Sequence, residues 1–110
     1  MQGVRGRPVP RFIIERGDPV PKFIIEREVP GVGDRTAEEL EEDARESNAV
    51  RSELGPENLQ WITSYITPDK IYCVYIAPDE DILREHARCL DIPADRISRI
   101  ATTTDPTTAE

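Results

Sequence analysis

Two runs of β-forming residues lie back to back between Leu59 and Ile76, and they restrict the fold more than any other part of the chain. Leu59, Trp61, Thr63, Tyr65 and Thr67 alternate with Gln60, Ile62, Ser64 and Ile66, the period of two expected of a strand with one side toward a core. Thr67-Pro68-Asp69-Lys70 has the chemistry of a tight turn, and Ile71–Ile76 is dense in β-branched and aromatic residues. A hairpin is therefore expected, with the flanking segments supplying its cover.

Those segments read as helices. Thr36 followed by Glu39 forms a capping box, and Glu38, Glu39, Glu41 and Glu42 place negative charge at the positive end of the helix dipole. Leu40, Ala44, Ser47, Val50 or Arg51, and Leu54 keep a helical period up to the stop at Gly55-Pro56. After the hairpin, Pro78 suits a first helical position and Asp79, Glu80 and Asp81 load the first turn. Ile82, Leu83, His86, Ala87 and Leu90 line one face, and the helix ends before Pro93. Arg96–Thr104 reads as a last strand, and Asp105–Glu110 as a polar tail.

At the start of the chain, Pro8-Val9-Pro10-Arg11-Phe12-Ile13-Ile14-Glu15-Arg16 recurs as Pro19-Val20-Pro21-Lys22-Phe23-Ile24-Ile25-Glu26-Arg27, with only Arg and Lys exchanged. Each copy is a plausible strand, apolar with prolines just before it. The second leads through a short loop into the first helix and is the better core strand. Residues 1–20 are then an N-terminal extension carrying a duplicate of the first strand, either loosely docked or added at a sheet edge. Residues 21–110 form the domain.

The order strand, helix, strand, strand, helix, strand is the α+β, ferredoxin-like βαββαβ arrangement, an antiparallel sheet with two helices on one face. Its other face is uncovered, and an apolar sheet face of this kind predicts a homodimer packed sheet to sheet.

Composition removes several functions. The 110 residues hold 22 acidic and 14 basic side chains, a net charge of −8, and residues 36–110 alone hold 17 acidic against seven basic. Phosphate-backbone binding needs the opposite balance, so no nucleic-acid partner is expected, although Tyr72 and Tyr75 sit on a sheet of RNA-recognition topology. The longest apolar run, Ile71–Ala77, has seven residues, whereas a spanning helix needs about 20. No membrane association is expected, and no secretory h-region is present. Two cysteines, Cys73 and Cys89, are too few for a disulfide scaffold and read as free thiols of a cytoplasmic protein.

Candidate chemistry is sparse. His86, the single histidine, has Cys89 three residues on, and Glu85 sits four before Cys89, so imidazole, thiolate and carboxylate are within reach of one metal ion at an open surface site. The alternative is a packed histidine on the apolar stripe. Cys73 lies mid-strand, where a thiol behaves as a small hydrophobe; a dyad with His86 is the other option. Gly31-Val32-Gly33 lacks the third glycine of a dinucleotide loop and reads as a turn. A pocket between helices and sheet, lined by some of Asn48, Tyr65, Tyr72, Cys73 and His86, would make the protein an enzyme or small-molecule binder; whether it catalyses anything is left open.

From Lys22 to Glu110 the chain resembles a small bacterial ferredoxin-like family, largely uncharacterised and commonly labelled nickel-binding. The resemblance is carried by Phe23-Ile24-Ile25-Glu26-Arg27 with Pro30-Gly31, Ser47-Asn48, Leu54-Gly55-Pro56, Gln60-Trp61-Ile62, Ser64-Tyr65 and Asp69-Lys70. It continues through Tyr72-Cys73-Val74-Tyr75, Ala77-Pro78-Asp79-Glu80, Arg84-Glu85-His86-Ala87, Pro93-Ala94-Asp95-Arg96-Ile97-Ser98 and Asp105-Pro106-Thr107-Thr108-Ala109-Glu110. It implies the same fold, a dimer and surface binding of divalent nickel, with sequestration as the purpose. His86 and Glu85 match family positions with donor atoms. Thr63 stands where family members often have a histidine.

Overall fold

A computed structural model describes residues 21–109. The first copy of the repeat, and with it the reading of residues 1–20 as an extension, lies outside the described residues. The elements are β1 (Lys22–Glu28), α1 (Ala37–Leu54), β2 (Gln60–Ile66), β3 (Lys70–Ile76), α2 (Glu80–Leu90) and β4 (Arg96–Arg99), with 3-10 turns at Val32–Asp34 and Pro106–Ala109. The sheet order is β2-β3-β1-β4 with every pair antiparallel. This is the expected ferredoxin-like fold. No helix among the described residues is long and apolar enough to cross a membrane.

Local chemistry sets the element ends. The capping box is formed: Thr36 Oγ1 accepts the Glu39 N–H at 3.1 Å and Glu39 Oε1 accepts the Thr36 N–H at 2.9 Å. At the other end Gly55 closes α1 at φ 105°, in the region that favours glycine. Helix α2 begins two residues later than Pro78 suggests, at Glu80. Asp79 is its N-cap, the carboxylate accepting the Ile82 N–H at 3.1 Å, so Pro78 lies outside the helix. A carboxylate there satisfies an orphan N–H and the dipole together.

Two strands depart from expectation. β2 is not a single alternating run: the register breaks at a β-bulge between Trp61 and Thr63. Trp61 pairs with Tyr75, Ser64 with Cys73 and Ile66 with Ile71, while Thr63 pairs with Val74 and Tyr65 with Tyr72. One extra residue changes the phase, so Trp61 and Tyr65, expected on one side, face opposite sides. β4 ends at Arg99 rather than Thr104. Its last bond to β1 runs from Ile100 N–H to Lys22 O, and the next residue of β1's strand line is Pro21, which has no N–H to offer.

The core lies between the sheet and α2. Ile25, Leu59 and Leu83 are fully buried, with Phe23, Cys73, Tyr75 and Ala77 around them. The loop after β1 is tied to the β2–β3 turn by three hydrogen bonds: Val29 N–H to Asp69 O, Gly33 N–H to Pro68 O, and Gly31 N–H to Asp69 Oδ1. Gly31-Val32-Gly33 is thus a turn. A Cβ on Gly33 would sit 2.7 Å from Pro68 Cα, so glycine is needed for this approach.

Candidate functional site

Helix α1 packs along α2, and a cavity lies between α1 and the sheet. The cause is side-chain size. On the row of α1 that faces inward, Ala44 and Ser47 are short, and the opposing sheet positions are Ser64 and Cys73, also short. Small groups on both sides cannot fill the gap, and a cavity of about 620 Å³ remains. Val32, Leu40, Trp61, Ile66, Ile71 and Ile92 give it largely apolar walls. That size falls within the range of small-molecule sites, roughly 300–1,000 Å³.

Polar groups in the lining are few and come from both the sheet and α1. Arg27, on β1, is 1% exposed and lines the cavity. Its Nη1 donates to Pro93 O at 2.5 Å, and its Nη2 has no hydrogen-bond partner. Burial pushes the Tyr75 phenol up, opposed by the neighbouring Arg27 and Ser47. Ser64 Oγ donates to Cys73 Sγ at 3.0 Å and accepts the Trp61 indole N–H at 2.9 Å. At the rim, Arg35 holds Asp43 through two hydrogen bonds of 2.8 and 2.7 Å, and Glu46 is the other acidic group of the lining.

His86 is 0% exposed, packed edge-on to Tyr75 at a centroid distance of 5.7 Å. Its Nε2 lies 3.4 Å from both Ser47 Oγ and Ser47 O, and its Nδ1 is without a partner. Burial holds its pKa below the usual imidazole value, the Ser47 carbonyl acts the other way, and Arg27 and Arg51 lower it further. It is the packed histidine of the second sequence reading.

The expected metal trio is split. Glu85 and Cys89 lie on the exposed side of α2, Sγ 3.7 Å from Glu85 Oε2, while His86 turns into the interior. Glu85 is held by Arg88 through Nε at 3.0 Å and Nη2 at 2.5 Å, which keeps its carboxyl below the usual range. Among the described residues no three His, Cys, Asp or Glu side chains come together as a metal site.

Of the pocket candidates, Cys73 lines the cavity and His86 sits behind it; Asn48, Tyr65 and Tyr72 do not line it. Asn48 is exposed and accepts from Arg51 Nη2 at 2.8 Å. Tyr65 and Tyr72 are cross-strand partners on the face away from the helices. Cys73 and His86 form no dyad, since each has its own serine partner. Arg27 was not among the sequence candidates. Its signal was present: in Phe23-Ile24-Ile25-Glu26-Arg27 the period of two puts Arg27 on the same side as Phe23 and Ile25.

Residues 23–100 match the family described as nickel responsive protein SCO4226-like. The crystal structure of SCO4226 from Streptomyces coelicolor A3(2) superposes with a TM-score of 0.63 at 19% identity, covering 76% of this chain and 99% of that one. At that identity the likeness concerns the fold. No curated protein matches the chain.

Proposed function

We propose that this chain, which belongs to the nickel responsive SCO4226-like family, is a small-molecule-binding protein whose ligand occupies the cavity between α1 and the sheet. The cavity itself carries the reading. It is concave and mostly apolar, with a few polar groups in its lining, the usual build of a ligand site. The serine partners of Cys73 and His86 favour binding over nucleophilic catalysis. The neutral dye Nile red tests the proposal: one dye per chain is expected, lost in Ala44→Trp, which fills the gap. Absence of saturable binding, or equal binding by the variant, refutes it.

Two copies pair through the open sheet face, a reading supported by Tyr65, 62% exposed beside Tyr72. Sedimentation should give a dimer, and Tyr65→Asp a monomer. A cytoplasmic location suits the two free thiols.

Nickel binding, with sequestration as its purpose, is the second reading, favoured by the family description. Among the described residues of one chain the expected donors do not fit a nickel shell: Glu85 and Cys89 offer two, and His86 is shut inside. A second copy would have to supply the rest. Calorimetric titration of tag-free protein with nickel chloride decides; no heat, or the same heat in Cys89→Ala, removes this reading.

A further inference from the structure

We propose that the ligand of this cavity is an amphipathic monocarboxylate, its acid group paired with the buried Arg27 guanidinium and its apolar body held between α1 and the sheet. The inference rests on the cavity being a binding site and adds the chemical class of the occupant.

Arg27 is the unusual group in this chain. Acidic side chains outnumber basic ones 22 to 14; Arg35, Arg45, Arg84 and Arg88 have carboxylate partners, Arg51 bonds Asn48 and the Leu59 carbonyl, and Arg96 and Arg99 are exposed to water. Arg27, the one fully buried arginine among the described residues, makes no ion pair there; its Nη1 bonds the Pro93 carbonyl, the Tyr75 phenol is its neighbour, and its Nη2 lacks a hydrogen-bond partner. A buried, unpaired cation is costly, and an anion brought to it relieves that cost. The planar fork of a guanidinium suits a carboxylate.

The surroundings select among anions. The other cation of the lining, Arg35, is already held by Asp43. Glu46, also in the lining, opposes any added negative charge, so a doubly charged head is penalised more than a singly charged one. A singly charged head is therefore matched and a doubly charged phosphate is not. Val32, Leu40, Trp61 and Ile71 ask for an apolar body. A metal cation is repelled by the same guanidinium, so this site is separate from any nickel site of the chain.

Octanoate and its neutral counterpart octanamide test the inference on the full chain, read by calorimetry and by the emission of Trp61, the single tryptophan, which stands in the cavity wall. Octanoate should bind at least tenfold more tightly than octanamide. Arg27→Met should bring octanoate down to the octanamide level and leave octanamide unchanged, while Arg27→Lys should keep part of the preference. Equal affinity of the two probes for the native protein overturns the inference without any variant, as does a preference that survives in Arg27→Met. Nile red binding without octanoate binding sinks the carboxylate alone; failure of every probe sinks the cavity reading with it.

Discussion

Acidifying the solution from about pH 7.5 to about pH 5.5 should weaken the fold through one side chain. His86 is fully buried, lies near Arg27 and Arg51, and has only long contacts to Ser47. Its folded-state pKa is lowered, chiefly by burial, from the ordinary value of 6.5. The unfolded chain therefore takes up a proton that the native protein resists, and stability rises with pH wherever that is so. The contribution is complete above about pH 6.5 and is lost as pH falls toward the folded pKa. For an imidazole that stays neutral in the native state, RT ln(1 + 10) sets the loss at up to about 1.4 kcal/mol by pH 5.5. His86 is the only histidine of the chain, and the lowered carboxyls of Glu85 and Asp105 titrate below this window. Urea unfolding followed by circular dichroism at half-unit pH steps measures the slope, and His86→Gln should flatten it. A flat profile in the native protein, or an unchanged slope in the variant, would refute the neutral buried imidazole.

Three local features of the fold give further expected outcomes. Asp79→Ala removes the cap that accepts the Ile82 N–H, and should lower stability by about 1 kcal/mol in urea unfolding. Gly33→Ala drives a methyl group against Pro68 Cα at 2.7 Å; a backbone clash of this kind should cost about 1–3 kcal/mol, seen as a lower melting temperature. Cys89 is exposed and Cys73 is 5% exposed and hydrogen-bonded by Ser64, so a thiol reagent should modify one cysteine quickly in native protein and the second only after denaturation.

The elements whose signals are local were legible. The Thr36–Glu39 capping box, the Gly55-Pro56 stop and the Thr67–Lys70 turn each act within a few residues, and the structure has all three. The misplaced features depend on what lies across the sheet. A bulge at Trp61/Thr63 adds a residue to β2 without changing its composition, so the alternation reads unbroken while the pairing with β3 shifts phase. β4 looks long enough to reach Thr104, but its partner strand begins at Lys22 after a proline, and pairing stops where the partner does.

The site was harder to read because its parts are ordinary one at a time. On α2, a helix turning about 100° per residue sets His86 between the core residues Leu83 and Ala87 on one side and the Glu85–Cys89 pair on the other. Spacing alone allows either grouping; burying Leu83 and Ala87 takes the imidazole inward and leaves the other two in water. The cavity arises from Ala44 and Ser47 meeting Ser64 and Cys73 across tens of residues, and no single segment announces that coincidence. Arg27 was within reach of parity reasoning, because the alternation that buries Phe23 and Ile25 buries it too. The upstream copy has the same parity at Phe12, Ile14 and Arg16. In β1, the strand between β3 and β4, a single alternation therefore both completes the sheet and places Arg27 among the residues that line the cavity.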